Sequence, residues 1–185
     1  RLIGVGLERR RMVECNINGE PVSARAGASI LEVARSIGIE IPAICHDDRC
    51  EPNGSCRMCL VKVKAKDRLV TACQTKVEDG DWIATRNASL EQYRTTDLEW
   101  YADHVSPTDF EAFPDKLRHR LMREYDVAPS GNVSELDRLD LSMPQIRVDM
   151  SQCIDCLRCV SICEEVQGEN VWHEIARGDE SHIVP

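Results

Sequence analysis

Four cysteines spaced Cys45-x10-Cys56-x2-Cys59-x13-Cys73 constrain this chain more than any other feature. Two thiols in a Cys-x-x-Cys turn can point at one metal centre. A third thiol upstream and a fourth on a following strand complete a four-sulfur cage. Cys50 adds a fifth thiol to the stretch. Spacing pairs Cys56 with Cys59 and makes Cys73 the candidate from the strand side, so the residues alone leave a choice between Cys45 and Cys50. Gly54 and Ser55, just before Cys56, let the backbone approach closely and aim N–H groups at bound sulfur. Such bonds tune the potential of an iron–sulfur cluster, whose sulfides are electron-rich.

A second run, Cys153-x2-Cys156-x2-Cys159-x3-Cys163, is among the most specific short patterns for [4Fe–4S] binding. The first three thiolates each hold a corner of a cubane. The fourth, already on the following helix, turns towards a second cubane. Proteins of this kind carry the pattern twice. Here it occurs once, so one [4Fe–4S] site is completed within or beyond this chain and a second is partly ligated by Cys163.

The flanking sequence predicts a small sheet gripping one helix. Met12–Asn18 alternates loosely, Asn18-Gly19 signals a hairpin turn and Val22 begins a second strand. Ser29 caps a helix over Ile30–Ile37, with Glu32 three residues on and Gly38 at the exit. Its apolar face is Ile30, Leu31, Val33, Ala34 and Ile37. Leu60–Lys64, Leu69–Thr75 and Trp82–Thr85 read as further strands. Helices follow over Leu90–Val105 and Pro114–Tyr125, and Ala128–Leu141 reads as a loop and linker. Gln145–Cys153 is a short strand leading into the second cysteine run. Val160–Val166 is a short helix, and Val171–Ala176 a strand or helix packed on it.

This order and the first spacing resemble a [2Fe–2S] ferredoxin domain of the β-grasp type. Ile41-Pro-Ala-Ile-Cys45 and Gly54-Ser-Cys56-Arg-Met-Cys59-Leu-Val resemble, more narrowly, the N-terminal region shared by two families. These are the alpha subunit of NAD-dependent molybdenum formate dehydrogenases and the large iron–sulfur subunit of complex I. The resemblance implies Cys45, Cys56, Cys59 and Cys73 as ligands and Cys50 as a non-ligand at the cluster rim. Plant-type ferredoxins use Cys-x4-Cys-x2-Cys, whereas five residues separate Cys50 from Cys56. The fold class implied is α+β, with three parts. A β-grasp [2Fe–2S] domain spans 11–88, a helical connector 89–144, and a partial bacterial-type [4Fe–4S] ferredoxin domain 145–185 that continues beyond the chain. The resembled families usually carry a His-x3-Cys-x2-Cys-x5-Cys cluster site in the connector. His104 sits at about the right place, but no cysteine lies between Cys73 and Cys153, so that cluster is not carried over. His104 and His119 then read as surface or packing histidines.

Composition bounds the function. Hydrophobic residues make up 42% and charged residues 30%, which describes a globular chain. Aromatics at 4% and a net charge of −9 exclude an aromatic or basic nucleic-acid platform. No apolar run approaches a membrane span, so the protein is not integral to the membrane. Ten cysteines grouped in Cys-x-x-Cys spacings point to metal in a reducing, cytoplasmic compartment rather than to disulfides. Structural zinc is the bland alternative, yet Cys56 and Cys59 form one knuckle with distant single partners, and the 153–163 run packs four thiols too tightly for one ion. A thioredoxin-like dithiol lacks its strand-to-helix setting. Cys15, in the first strand, reads as a small buried or spectator residue.

No nucleophile triad or nucleotide loop is present, so the residues carry electron transfer only. Arg57 and Arg49 favour a reduced, more negative cluster at the first site, while Asp47, Asp48 and Glu51 oppose them. Arg158 and Asp155 compete likewise at the second. The resemblance implies a relay in an NAD-linked molybdenum or tungsten formate dehydrogenase. Molybdopterin, FMN and NAD lie elsewhere in that complex, and flavin- and iron–sulfur-containing NAD-reducing subunits are the partners. The alternative is a non-catalytic electron-transfer subunit of a hydrogenase, diaphorase or complex I-like assembly.

Overall fold

An alternation of outward and inward residues builds the first hairpin. Val13, Cys15 and Ile17 of strand β1 (Met12–Ile17) are buried, and β2 (Glu20–Arg25) answers with Val22 and Ala24. Asn18 and Gly19 join the strands at φ 56° and 97°, the left-handed pair that a tight hairpin of this twist requires. The computed structural model describes residues 11–64, 67–131, 139–150, 153–176 and 181–185.

Helix α1 (Ile30–Ser36) starts where its sequence says it should. Ser29 Oγ accepts the Glu32 N–H at 3.1 Å and a Glu32 carboxylate oxygen accepts the Ser29 N–H at 2.6 Å, a reciprocal capping box. Ile30, Leu31, Val33 and Ala34 are buried, whereas Ile37 has left the helix at its C-cap and is over a third exposed. The Ser29 N–H holds the Glu32 carboxyl below its ordinary range. A depressed carboxylate pKa stabilises the fold above the unfolded value, and the contribution fades as pH falls through the folded one. Glu32→Ala, which removes the carboxylate acceptor of the Ser29 N–H, should therefore cost about 1 kcal/mol at neutral pH, and urea titrations should show that cost shrinking in acid.

Strands β3 (Leu60–Val63), β4 (Arg68–Thr71) and β5 (Trp82–Ala84) complete a five-stranded sheet in the order β2-β1-β5-β3-β4. Only β1 and β5 run parallel among these pairings. Cys59 stands immediately before β3. The expected strand over Leu69–Thr75 stops at Thr71, so Cys73 lies in a turn rather than on a strand. The cause is competition for the backbone: Ala72 donates its N–H to the Cys59 carbonyl at 3.0 Å, its own carbonyl accepts Leu31 N–H at 3.0 Å, and Thr75 N–H folds back to Thr71 at 3.0 Å. The sheet with α1 belongs to one compact unit, which joins the chain up to Ile41 with Cys59–Asn87.

A second unit joins Pro42–Met58 to Ala88–Pro185. Helix α2 (Ala88–Ala102) buries Leu90, Arg94, Leu98 and Tyr101 along one stripe. Helix α4 (Leu117–Glu124) is close to expectation, but a short helix α3 (Pro107–Ala112) precedes it. Its signal was local: Ser106 Oγ accepts the Asp109 N–H at 3.1 Å, and Pro107 occupies the first turn. Leu98, Tyr101, Phe110, Leu121 and Met122 form a core with Ile44, Cys45, Cys56 and Met58 of the cysteine loop. His119 is fully buried, its Nδ1 2.8 Å from the Phe113 carbonyl oxygen and its ring beside Phe110.

Further on, β6 (Leu139–Met143) and β7 (Ile146–Asp149) form a hairpin. The expected linker thus ends before Leu139, and its 132–138 portion lies outside the described residues. Helix α5 (Arg158–Ser161) runs into a π-helical turn, Ile162–Val166. The Val171–Ala176 segment resolves as strand β8 (His173–Ile175), paired with β9 (His182–Val184). Among the described residues no helix is long and apolar enough to cross a membrane.

Candidate metal centres

The first quartet is built as two buried pairs. In the unit that carries the cysteine loop, Cys45 donates its N–H to Cys56 Sγ at 3.4 Å, and both residues belong to the apolar core. In the unit that carries the sheet, Cys59 Sγ and Cys73 Sγ stand 3.4 Å apart, each 1% exposed. None of the ten cysteines is in a disulfide. Arg57 and Met58 separate Cys56 from Cys59 in sequence. The thiols pair up: among the described residues no three His, Cys, Asp or Glu groups converge on a ready-made single-ion site.

Electrostatics separates Cys45 from Cys50. A hydrogen bond from the Cys56 thiol, outweighing the penalty of burial, holds Cys45 well below the usual thiol range, with Ser55 assisting. Its partner Cys56 is pushed the other way by the same bond. Cys50 lies in a turn with its N–H on the Asp47 carbonyl, and desolvation together with Glu165 and Asp47 raises its pKa. Thiolate is thus favoured at Cys45, with the proton kept on Cys56, and disfavoured at Cys50.

The loop between them departs from simple expectation. Gly54 takes φ 71° and Arg57 φ 53°, both in the left-handed region. Ser55, however, gives its N–H to Asn53 Oδ1 at 3.0 Å and its hydroxyl to the Cys156 carbonyl at 3.0 Å. Asp47 does not act as an isolated opposing charge. It accepts from Arg49 at 2.8 Å and Arg158 at 2.9 Å, which hold its carboxyl far below the usual range.

The second quartet sits on a strained loop. Asp155 and Leu157 adopt φ 51° and 60°, and a bulky residue such as Leu pays for a left-handed angle. The conformation turns backbone N–H groups towards sulfur: Asp155 N–H reaches Cys153 Sγ at 3.4 Å. Cys153 and Cys156 are half-buried and Cys159 exposed, whereas Cys163 is buried in the π-helical turn and accepts the Val171 N–H at 3.4 Å. Reduced thiols receiving amide N–H bonds, in a loop free of disulfides, fit the donor set of an iron–sulfur cluster.

Three supporting residues, Arg94, Arg118 and Tyr101, were not legible in the sequence. Arg94, 1% exposed, donates Nε to the Met58 carbonyl at 3.2 Å and Nη1 to Glu91 at 3.0 Å. Glu91 also accepts the Tyr125 hydroxyl at 2.7 Å. Arg118 is buried too; burial lowers its pKa, opposed by the charges of Cys156 and Cys153. Tyr101 donates its hydroxyl to the Cys56 carbonyl at 3.4 Å.

Residues 10–88 match the 2Fe-2S iron-sulfur cluster binding domain family, and residues 143–185 match the NADH-quinone oxidoreductase subunit 3 ferredoxin-like domain family. The NADPH-Fe(3+) oxidoreductase subunit alpha of Geobacter sulfurreducens is 30% identical over 181 residues, covering 93% of this chain and 21% of the relative. The NADH-ubiquinone oxidoreductase 75 kDa subunit of Reclinomonas americana is 28% identical over 194 residues, with 93% and 26% covered. The NADP-reducing hydrogenase subunit HndD of Solidesulfovibrio fructosivorans is 30% identical over 185 residues, with 94% and 31% covered. The chain therefore spans between about a fifth and a third of these relatives. A chain in the crystal structure of the NAD+-reducing [NiFe]-hydrogenase in its H2-reduced state shares the fold, with a TM-score of 0.78 at 24% identity over 92% of this chain and 74% of that one. The protein is thus a mixed α+β chain carrying a [2Fe–2S] domain and a ferredoxin-like iron–sulfur domain.

Proposed function

We propose that this chain is the electron-relay segment of an NAD(P)-linked oxidoreductase complex. Cys45, Cys56, Cys59 and Cys73 hold a [2Fe–2S] cluster, and Cys153, Cys156 and Cys159 supply three ligands of a [4Fe–4S] cluster, with Cys163 serving a further cubane. The observation that carries the reading is the pairing of four reduced, buried thiols within the stretch matched to the [2Fe–2S] domain family. Bound clusters supply one-electron chemistry with little rearrangement, because charge spreads over several irons and sulfurs. The chain's own residues do the rest: thiolates anchor iron, Gly54 and the 153–157 loop present N–H groups, and Arg118 favours the more negative, reduced form at the second site.

The partners in this reading are the flavin- and iron–sulfur-containing, NAD-reducing subunits that the sequence resemblance implies. The relatives' names, those of NADPH-, NADH- and NADP-linked oxidoreductases, agree with the nicotinamide link. Formate oxidation at a molybdopterin centre elsewhere in the polypeptide is the finer reading suggested by Ile41–Cys45 and Gly54–Val61. A hydrogenase or complex I-like relay is favoured by the likeness to HndD and to the 75 kDa oxidoreductase subunit. The assembled complex should be brown and contain iron and acid-labile sulfide. On adding NADH or NADPH at low temperature it should give EPR signals of both cluster types. A colourless preparation holding zinc sinks the reading. Reduction of the same signals by formate, as against hydrogen gas, separates the finer alternatives.

A further inference from the structure

The two cysteine loops are far apart in sequence, and no cysteine intervenes between residues 74 and 152. Within the second unit they are nevertheless fastened directly to each other. The Cys156 carbonyl accepts both the Ser55 hydroxyl at 3.0 Å and the Asn53 side-chain amide at 3.3 Å. Arg158 Nη2 reaches Asp47 Oδ2 at 2.9 Å, while Arg49 grips the other oxygen of the same carboxylate. Glu165 accepts the Glu51 N–H at 2.7 Å. Apart from the Arg49–Asp47 pair, these contacts join the 47–55 segment to the 156–165 segment. They flank Cys56 on one side and include the ligand candidate Cys156 itself on the other.

We propose that Ser55, Asn53 and the Arg49–Asp47–Arg158 ion chain are positioning residues that clasp the first cysteine loop to the second, leaving the peptide from Cys56 to Ser55 and one hydrogen bond to Cys156 as the bridge between the two metal centres. This rests on the relay reading above. The Asp47 carboxylate is shared by two guanidinium groups that are themselves 60% and 46% exposed, so the ion chain is open to screening by salt and adds geometry more than energy. Ser55 is the chain neighbour of Cys56, so its hydroxyl offers a short route from Cys56 to the second loop through one hydrogen bond. Electron exchange across the bridge needs one electron to leave one centre for each that enters the other, with no bond made or broken and no proton moved.

The test uses the full chain in its assembled complex with both clusters present. In the native protein, reducing the second centre should broaden or split the EPR signal of the first. Ser55→Ala should weaken that spin–spin interaction and speed amide hydrogen exchange through 47–56 and 153–158 about fivefold, the equivalent of one lost hydrogen bond of about 1 kcal/mol. Ser55→Thr, which keeps the hydroxyl, should restore both, and Arg158→Gln should add to the effect of Ser55→Ala. Native coupling and native exchange rates in the Ser55→Ala, Arg158→Gln double variant, with both signals intact, would overturn the clasp alone. Absence of either cluster signal from the native complex overturns the relay reading beneath it.

Discussion

Cys59→Ser, and equally Cys73→Ser, should abolish the two-iron EPR signal and the visible absorbance assigned to the first centre, while the signals of the second centre persist. Both thiols are 1% exposed and lie 3.4 Å apart, so neither has water or a spare sulfur to take its place. A serine oxygen is a harder and shorter donor than thiolate and suits iron–sulfur chemistry poorly. Metal binding is folding energy wherever the site does not pre-exist in the unfolded chain. The holoprotein should therefore also lose on the order of 4 kcal/mol or more of stability. Chemical denaturation of the reconstituted protein reads that loss, and iron analysis reads the missing cluster. The location of Cys59 sharpens the expectation, since its carbonyl accepts the Ala72 N–H and couples the start of β3 to the turn holding Cys73. Cys50→Ser makes the matched control, because its half-exposed turn position predicts retained iron and an unchanged signal. Loss of the first centre in that control, with retention in Cys59→Ser, would falsify the ligand assignment.

Arg94→Met should be the most damaging substitution outside the cysteines. The side chain is almost wholly buried and satisfies the Met58 carbonyl from α2, one residue before Cys59 in the chain. Methionine fills much of the same space but donates nothing. The Met58 carbonyl and the Glu91 carboxylate would then lose a charged partner each, while the Tyr125 hydroxyl stays on Glu91. Glu91 is a third exposed and can be rehydrated, so the main cost is the unmet Met58 carbonyl, about 2 kcal/mol, roughly 4–8 °C in Tm for a chain of this size. Arg94→Lys keeps the charge yet cannot fork to two acceptors, so it should recover only part of the loss. A thermal melt of the apo-chain isolates this effect from metal binding. A melt unmoved by Arg94→Met would mean that water already serves the Met58 carbonyl.

Much of the fold was legible because its signals are short-range. Asn18-Gly19 demands a left-handed pair of angles, Ser29 and Glu32 satisfy each other's backbone N–H groups, and the two cysteine runs fix which thiols can share a turn. Each depends on residues within one turn of chain, where covalent geometry leaves few outcomes. The weaker readings fail where two local rules compete. The strand through Thr75 is cut at Thr71 because the Ala72 N–H and carbonyl find partners on Cys59 and α1. The α3 turn was missed although its Ser106-Pro107-x-Asp109 start is a local signal of the same kind.

The sequence by itself determined which side chains could bind iron and roughly where the strands and helices carrying them begin. Tertiary structure decided which of those side chains meet. It set Cys45 rather than Cys50 against Cys56, buried Arg94 in a stripe that reads as polar at that position, and brought Ser55 to Cys156 across 101 residues and Asp47 to Arg158 across 111. The reason is energetic: a polar group removed from water must find a partner, and over such separations only the packing of the whole unit determines which partner is in reach.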